Sequence, residues 1–184
     1  MPRHRIGLVA LLVLPHAAMA RDVLLVGPDE TYTTIGSALA AASDGDRLII
    51  RGGTYEECLE ISTDLEMMAY PQDRVALQCT ADVSSAQYAI STTKPLALEA
   101  FDIRHTGGGG GIYTEGGGAL VVQWSTFEGL SASSTSAGIH SEGSDVYIQY
   151  SSFTGCEAFG GEGGAVWVKN ADLTLVDVTA QDVS

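Results

Sequence analysis

Apolar and polar residues alternate in short bursts along most of this chain, and the bursts repeat. Leu120-Val121-Val122-Gln123-Trp124-Ser125-Thr126-Phe127-Glu128-Gly129-Leu130 aligns without gaps on Val146-Tyr147-Ile148-Gln149-Tyr150-Ser151-Ser152-Phe153-Thr154-Gly155-Cys156. A second stretch, Ile112-Tyr113-Thr114-Glu115-Gly116, returns as Ile139-His140-Ser141-Glu142-Gly143 and again as Val166-Trp167-Val168-Lys169-Asn170, 27 residues apart each time. Further copies of the first stretch begin at Leu96 and Leu173. Within each run alternate residues share a face, so Leu120/Val122/Trp124 and Val146/Ile148/Tyr150 are expected to point inward, the period-two signature of a half-buried strand. No window after residue 45 carries a helical period.

A unit of two or three such short strands cannot bury its own apolar face. Stacking the units about 4.8 Å apart in the hydrogen-bonding direction does bury it. The pattern therefore predicts an all-β parallel β-helix over residues 46–184, with ladders such as Phe127 over Phe153 along its interior. Some six coils would make a rod of roughly 30 Å. Residues 21–45 read as an N-terminal strand near Tyr32 and a capping helix. Thr33 or Thr34 is its N-cap, and Ile35, Ala38, Leu39 and Ala42 lie on one face. Such a helix covers an apolar end that would otherwise pair with another chain. At the other end the pattern stops half-way through a coil at Ser184. That uncapped end predicts either a piece of a longer protein or a coil that associates end to end with a partner.

Residues 1–20 add an address. A basic start (Arg3, His4, Arg5), an apolar run from Ile6 to Leu14 and the tripeptide Ala18-Met19-Ala20 predict a signal peptide cleaved before Arg21, and so export to the cell surface or beyond. The net charge is −14; loss of Arg3 and Arg5 takes it to −16. Such a polyanion repels phosphate backbones, which argues against a nucleic-acid partner. No later apolar run is long enough to span a bilayer as a helix. Three cysteines follow the signal. Cys58 and Cys79, one coil apart, form either a bridge or two buried thiols, and Cys156 is left over. Of the 22 glycines, only six precede residue 100. The runs 107–111 and 160–164 lack the Lys-Ser/Thr of a phosphate loop and open no helix, so they are expected to be tight corners needing positive φ.

Thr34-Ile35, Ala38-Leu39, Asp44-Gly45-Asp46, Ile49-Ile50 and Gly53-Thr54-Tyr55-Glu56-Glu57 resemble the opening of right-handed β-helix proteins of the pectin-lyase-like superfamily. The Gly-Thr-Tyr stretch is similar to one in pectin methylesterases. Gly163-Gly164-Ala165-Val166 resembles a tetrapeptide of the polymorphic outer-membrane-protein repeats of chlamydiae. Phe127-Glu128-Gly129-Leu130 and Phe153-Thr154-Gly155-Cys156 keep the Phe of a second such motif, with Leu or Cys where those repeats carry Asn. The resemblance implies a single-stranded right-handed parallel β-helix. It also implies two functional classes: a surface binding scaffold, or a carbohydrate-active enzyme such as a polysaccharide lyase. A purely structural stalk is a third use of the same scaffold.

For a lyase, a base must take the proton beside a uronate carboxylate and a cation must hold that carboxylate. Asp102, Arg104 and His105 supply the groups, although strand alternation sends Asp102 and Arg104 to one face and His105 to the other. For a binding scaffold the candidates are Tyr113, His140 and Trp167. Each follows an inward residue in successive coils, and each should point outward where rings can stack on sugars unless a loop covers them. Glu115 and Glu142 form a ladder that could hold calcium, but the next position is Lys169, which favours a surface charge ladder. No cofactor is expected. The reading favoured by these residues is an exported, adhesin-like scaffold that contacts glycans or surface proteins.

Overall fold

A computed structural model describes residues 21–84, 87–133, 136–159 and 163–184. The expected signal peptide lies outside them, as do Gly160, Gly161 and Glu162. Short strands wind into an all-β, single-stranded right-handed parallel β-helix of about six turns. The first sheet stacks Val23–Val26, Asp46–Ile50, Leu65–Ala69, Leu96–Glu99, Leu120–Gln123, Val146–Gln149 and Leu173–Val176. The second stacks Gly53–Tyr55, Val75–Cys79, Phe101–His105, Thr126–Glu128, Ser152–Thr154 and Thr179–Gln181. The third stacks Leu59–Ile61, Tyr88–Thr92, Gly110–Glu115, Ile139–Glu142 and Val166–Lys169. Ser131–Ala132 pairs with Glu157–Ala158 beside them. All of these pairings are parallel.

The register is the one in which the repeats align. Leu120 pairs with Val146, Phe127 with Phe153, and Ile112 with Ile139, which in turn pairs with Val166. Alternation then delivers whole columns to the interior: Leu24, Leu48, Met67, Leu98, Val122 and Ile148 are buried one above another in the first sheet. The column continues to Leu175, half exposed like its neighbour Leu173 on the last rung. In the second sheet the Phe127 and Phe153 rings stack with centroids 4.6 Å apart.

The N-terminal segment differs from expectation in one respect. Its strand is Val23–Val26, which pairs with Asp46–Ile50 as the first rung, while Tyr32 makes only a single bridge to Val26. The helix is shorter than the apolar spacing suggests, Ile35–Leu39, with Ile35 and Ala38 fully buried and Ala42 packed against the core beyond its end. Thr34 is the N-cap, its hydroxyl accepting from the Ser37 amide at 3.1 Å. A carboxylate from the next turn completes the cap: Glu57 accepts from the Ile35 and Gly36 amides at 2.8 and 2.7 Å. With four orphan amides to satisfy, these contacts stabilise even one turn of helix.

From Ala100 onward the corners between sheets carry residues in the left-handed region. Gly116, Gly143 and Asn170 form one such column, and Gly129, Gly155 and Asp182 a second. The 107–111 run is different, because only Gly108 there has positive φ. The other glycines serve close packing. A Cβ on Gly111 would lie 2.6 Å from the Gly138 carbonyl oxygen and 2.8 Å from the Phe127 ring. One on Gly138 would lie 2.0 Å from the Ala165 carbonyl and 2.8 Å from the Phe153 ring. Ala89 and Ala165 hold the equivalent third-sheet positions, and there the second-sheet column carries Ile103 and Ala180 instead of Phe. Glycine faces phenylalanine and alanine faces a smaller side chain. Gly138→Ala is accordingly expected to destabilise the fold by about 2–3 kcal/mol through overpacking, read as a lower urea midpoint at unchanged m-value.

Candidate functional site

The strand Phe101–His105 separates the three lyase candidates as alternation requires. Asp102 and Arg104 face out, and His105 is buried on the opposite side. The Asp102 carboxylate accepts from the Arg74 guanidinium, with Nε at 3.0 Å from both oxygens, and from the Thr126 hydroxyl at 2.5 Å. Partial burial opposes its charge, but the hydrogen bonds from Arg74 and Thr126, with the nearby charges of Arg74 and Arg104, outweigh that and hold the carboxyl below its ordinary range. Arg104 is paired with Glu128 on the next coil. Arg104 and His105 both border an open pocket with Glu128 that Asp102 does not line, so the three do not meet in one site, and the two outward ones are committed to partners across coils.

Tyr113, His140 and Trp167 form a ladder on the third sheet. Ring centroids lie 5.4 Å apart from Tyr113 to His140 and 4.2 Å from His140 to Trp167, both pairs stacked. Tyr88 extends the column, 5.3 Å from Tyr113. Only 3% of the His140 side chain is exposed, and Tyr88 is buried as well. The Tyr113 hydroxyl donates to Glu115 at 2.9 Å. Burial first, then this hydrogen bond and the charges of Glu115 and Glu142, push its pKa up to about 12. These rings direct their faces at one another, and Tyr113 and Trp167 are left half-buried. Glu115, Glu142 and Lys169 stand in register beside it.

A different aromatic pair stands in the open. Trp124 and Tyr150 are 46% and 45% exposed, stacked with centroids 5.5 Å apart and planes 16° from parallel. The inward orientation expected of them from alternation does not hold. Both lie at the corner between the first and second sheets, with φ of 47° and 51°, in a column with Ala100 and Asp177. A left-handed residue breaks the strand's alternation and throws its side chain outward. The following serines fix the turn. Ser125 Oγ donates to the Gln123 carbonyl at 2.9 Å and accepts from the Phe101 amide at 3.2 Å; Ser151 Oγ donates to the Gln149 carbonyl at 2.9 Å and accepts from the Ser125 amide at 3.1 Å. Both serines are buried, so each hydroxyl closes a loop around the aromatic residue and ties one coil to the one before. Bulky residues in this conformation cost roughly 1–2 kcal/mol each, where the other two corners use Gly, Asn or Asp.

Beside the rings runs an open groove of roughly 380 Å³. Thr126, Ser152 and Thr179, in register on the second sheet, line its floor, with Arg74 and Asp177 also on its walls. On the other side Gln123 donates to Gln149 at 3.0 Å, a polar ladder along the first sheet. The alternating pattern alone does not reveal this constellation. The available signal was the Ser after each aromatic and the mixed chemistry of the aligned Ala100, Trp124, Tyr150 and Asp177, which suits a solvated corner and not a core column.

No family model matches the chain, and no curated protein matches it in sequence. Among the described residues no helix is long and apolar enough to cross a membrane. Cys58 and Cys79 are joined in a disulfide, and Cys156 is a buried free thiol.

Proposed function

We propose that this protein is an exported, adhesin-like β-helical scaffold of the cell surface or extracellular space that binds glycans. The observation that carries the reading is the Trp124–Tyr150 pair: two exposed, stacked rings on successive coils, held in a costly backbone conformation and bordered by hydroxyl and carboxylate groups. Backbone strain at an exposed aromatic pair points to a use for that pair. Sugar rings offer C–H faces to aromatic rings and hydroxyls to the polar floor. Export rests on the basic, apolar and small-residue segments of residues 1–20. The polysaccharide-lyase alternative has less support, because Asp102 lies outside the pocket that Arg104 and His105 border.

A glycan array probed with the purified chain tests the reading. Binding is expected to fall at least tenfold in Trp124→Ala and in Tyr150→Ala. Loss of binding in Tyr113→Ala and Trp167→Ala, with Trp124→Ala unaffected, would move the contact to the third sheet. Release of unsaturated product from polyuronates, abolished in Asp102→Asn, would favour the enzyme instead.

A further inference from the structure

We propose that the Trp124–Tyr150 corner takes an uncharged hexopyranose chain laid along the helix axis and discriminates against polyuronates. The inference rests on the glycan-binding reading of the same corner and adds the ligand's charge and direction. Direction follows from the repeat. The two rings, the two glutamines and the hydroxyls of Thr126, Ser152 and Thr179 each recur once per coil, in register. Rungs about 4.8 Å apart offer like groups at a spacing similar to the length of one pyranose in an extended chain. A chain along the axis meets the same chemistry at each step, whereas one lying across it meets a corner.

Charge follows from the ion pairs. Arg74 is the groove's one cation among the described residues, and its guanidinium is taken up by Asp102 and by the carbonyls of Phe101 and Trp124. The other described arginines, Arg21, Arg47, Arg51 and Arg104, are likewise paired with carboxylates. Lys169 lies over Trp167 on the third sheet, and Lys94 is exposed at the corner between the third and first sheets, outside the groove. A uronate in the groove would face Asp177 with no uncommitted cation to receive its carboxylate, on a protein already carrying net charge −14. Neutral sugar hydroxyls instead find carboxylate and hydroxyl acceptors together with hydroxyl donors.

Isothermal titration of the purified chain with cellohexaose, mannohexaose and hexagalacturonate decides the matter. At least one neutral hexamer is expected to bind ten or more times tighter than its monosaccharide and than hexagalacturonate. That affinity should fall at least tenfold in Trp124→Gly and in Tyr150→Gly, variants that carry at this corner the residue used at the other two. Circular dichroism of each variant confirms the fold, and Trp124→Ala serves where a glycine variant does not fold. Hexagalacturonate binding as tightly as the neutral hexamers, in a Trp124-dependent way, would overturn the inference and leave the glycan reading standing. Binding no tighter to a hexamer than to its monosaccharide would overturn the axial chain. Failure of all three hexamers to bind, or binding indifferent to both aromatic residues, would overturn the reading as well.

Discussion

Phe127→Ala is expected to lower stability by about 3–5 kcal/mol and the melting temperature by roughly 10 °C. Phe127 is fully buried, with Ile103 and Phe153 as its register partners in the adjoining coils. Its ring also lies where a Cβ on Gly111 would fall. Truncation therefore leaves a void that cannot collapse easily, because parallel backbone ladders on all three sheets hold the coils apart at fixed spacing. In a solenoid, where each coil contacts only its neighbours, such a defect weakens two interfaces at once. Thermal and urea melts of the variant followed by circular dichroism provide the measurement. Phe127→Leu, which keeps most of the volume, should lose far less. A cost below about 1 kcal/mol for the alanine variant, outside the range for large-to-small changes in a packed core, would show that the interior is not the close-packed stack of columns described above.

That stack was legible because it is encoded in repetition. Once Leu120 is aligned with Val146 and Ile112 with Ile139, period-two alternation fixes which residues face inward, and the parallel register follows. The glycine bias after residue 100 was visible, but its cause was only partly so. Corner glycines such as Gly129 and Gly155 need positive φ, whereas Gly111 and Gly138 are small because the adjoining coil's carbonyl and a phenylalanine ring from another sheet press on them. Such a contact joins residues distant in sequence, and no local pattern reveals it. The first rung is not legible in the sequence for a related reason: Val23–Val26 lies outside the repeat, and only its pairing with Asp46–Ile50 makes it a strand.

The aromatic residues show where alternation stops being a guide. Tyr113, His140 and Trp167 stack in register, as the repeat implied, yet His140 is buried between its neighbours. Trp124 and Tyr150 continue the alternation of Leu120/Val122 and Val146/Ile148, which by itself points them inward. One left-handed residue at each corner reverses that. Whether a strand ends one residue early depends on the turn that follows, here a buried serine bonded back across the aromatic residue. The same turn makes the site testable apart from stability. Trp124→Gly relieves roughly 1–2 kcal/mol of strain, but gives up about 0.5–1.5 kcal/mol of ring stacking and about 0.5–1 kcal/mol of glycine's extra chain entropy. The relieved strain offsets part of these losses and of the burial of about half the indole, so in a variant that circular dichroism shows folded, loss of binding reports on the ring itself.

Replacing both Cys58 and Cys79 with alanine is expected to lower stability by about 3 kcal/mol, the loop-entropy value for a bridge closing some twenty residues. The disulfide joins Cys58, just before Leu59–Ile61, to Cys79, at the end of Val75–Cys79, and so ties successive coils between the second and third sheets. The loop it closes contains the whole strand Leu65–Ala69 and lies toward the helix-capped end. The stacked phenylalanines lie further along the solenoid, so this end relies on aliphatic columns and on the bridge. With nearest-neighbour energetics, opening should start there once the bridge is gone, and hydrogen exchange of the Asp46–Ile50 and Leu65–Ala69 amides should rise before that of Val146–Gln149. Cys156 provides the internal control. It is buried between the core positions of neighbouring coils, and burial raises its thiol pKa. Alkylation of the native protein should therefore label no cysteine, and alkylation in denaturant only Cys156. Because the bridge forms where thiols oxidise, chain made under reducing conditions should match the double-alanine variant in stability. A difference under about 0.5 kcal/mol between that variant and the oxidised parent would mean that the helix cap and aliphatic columns hold this end unaided.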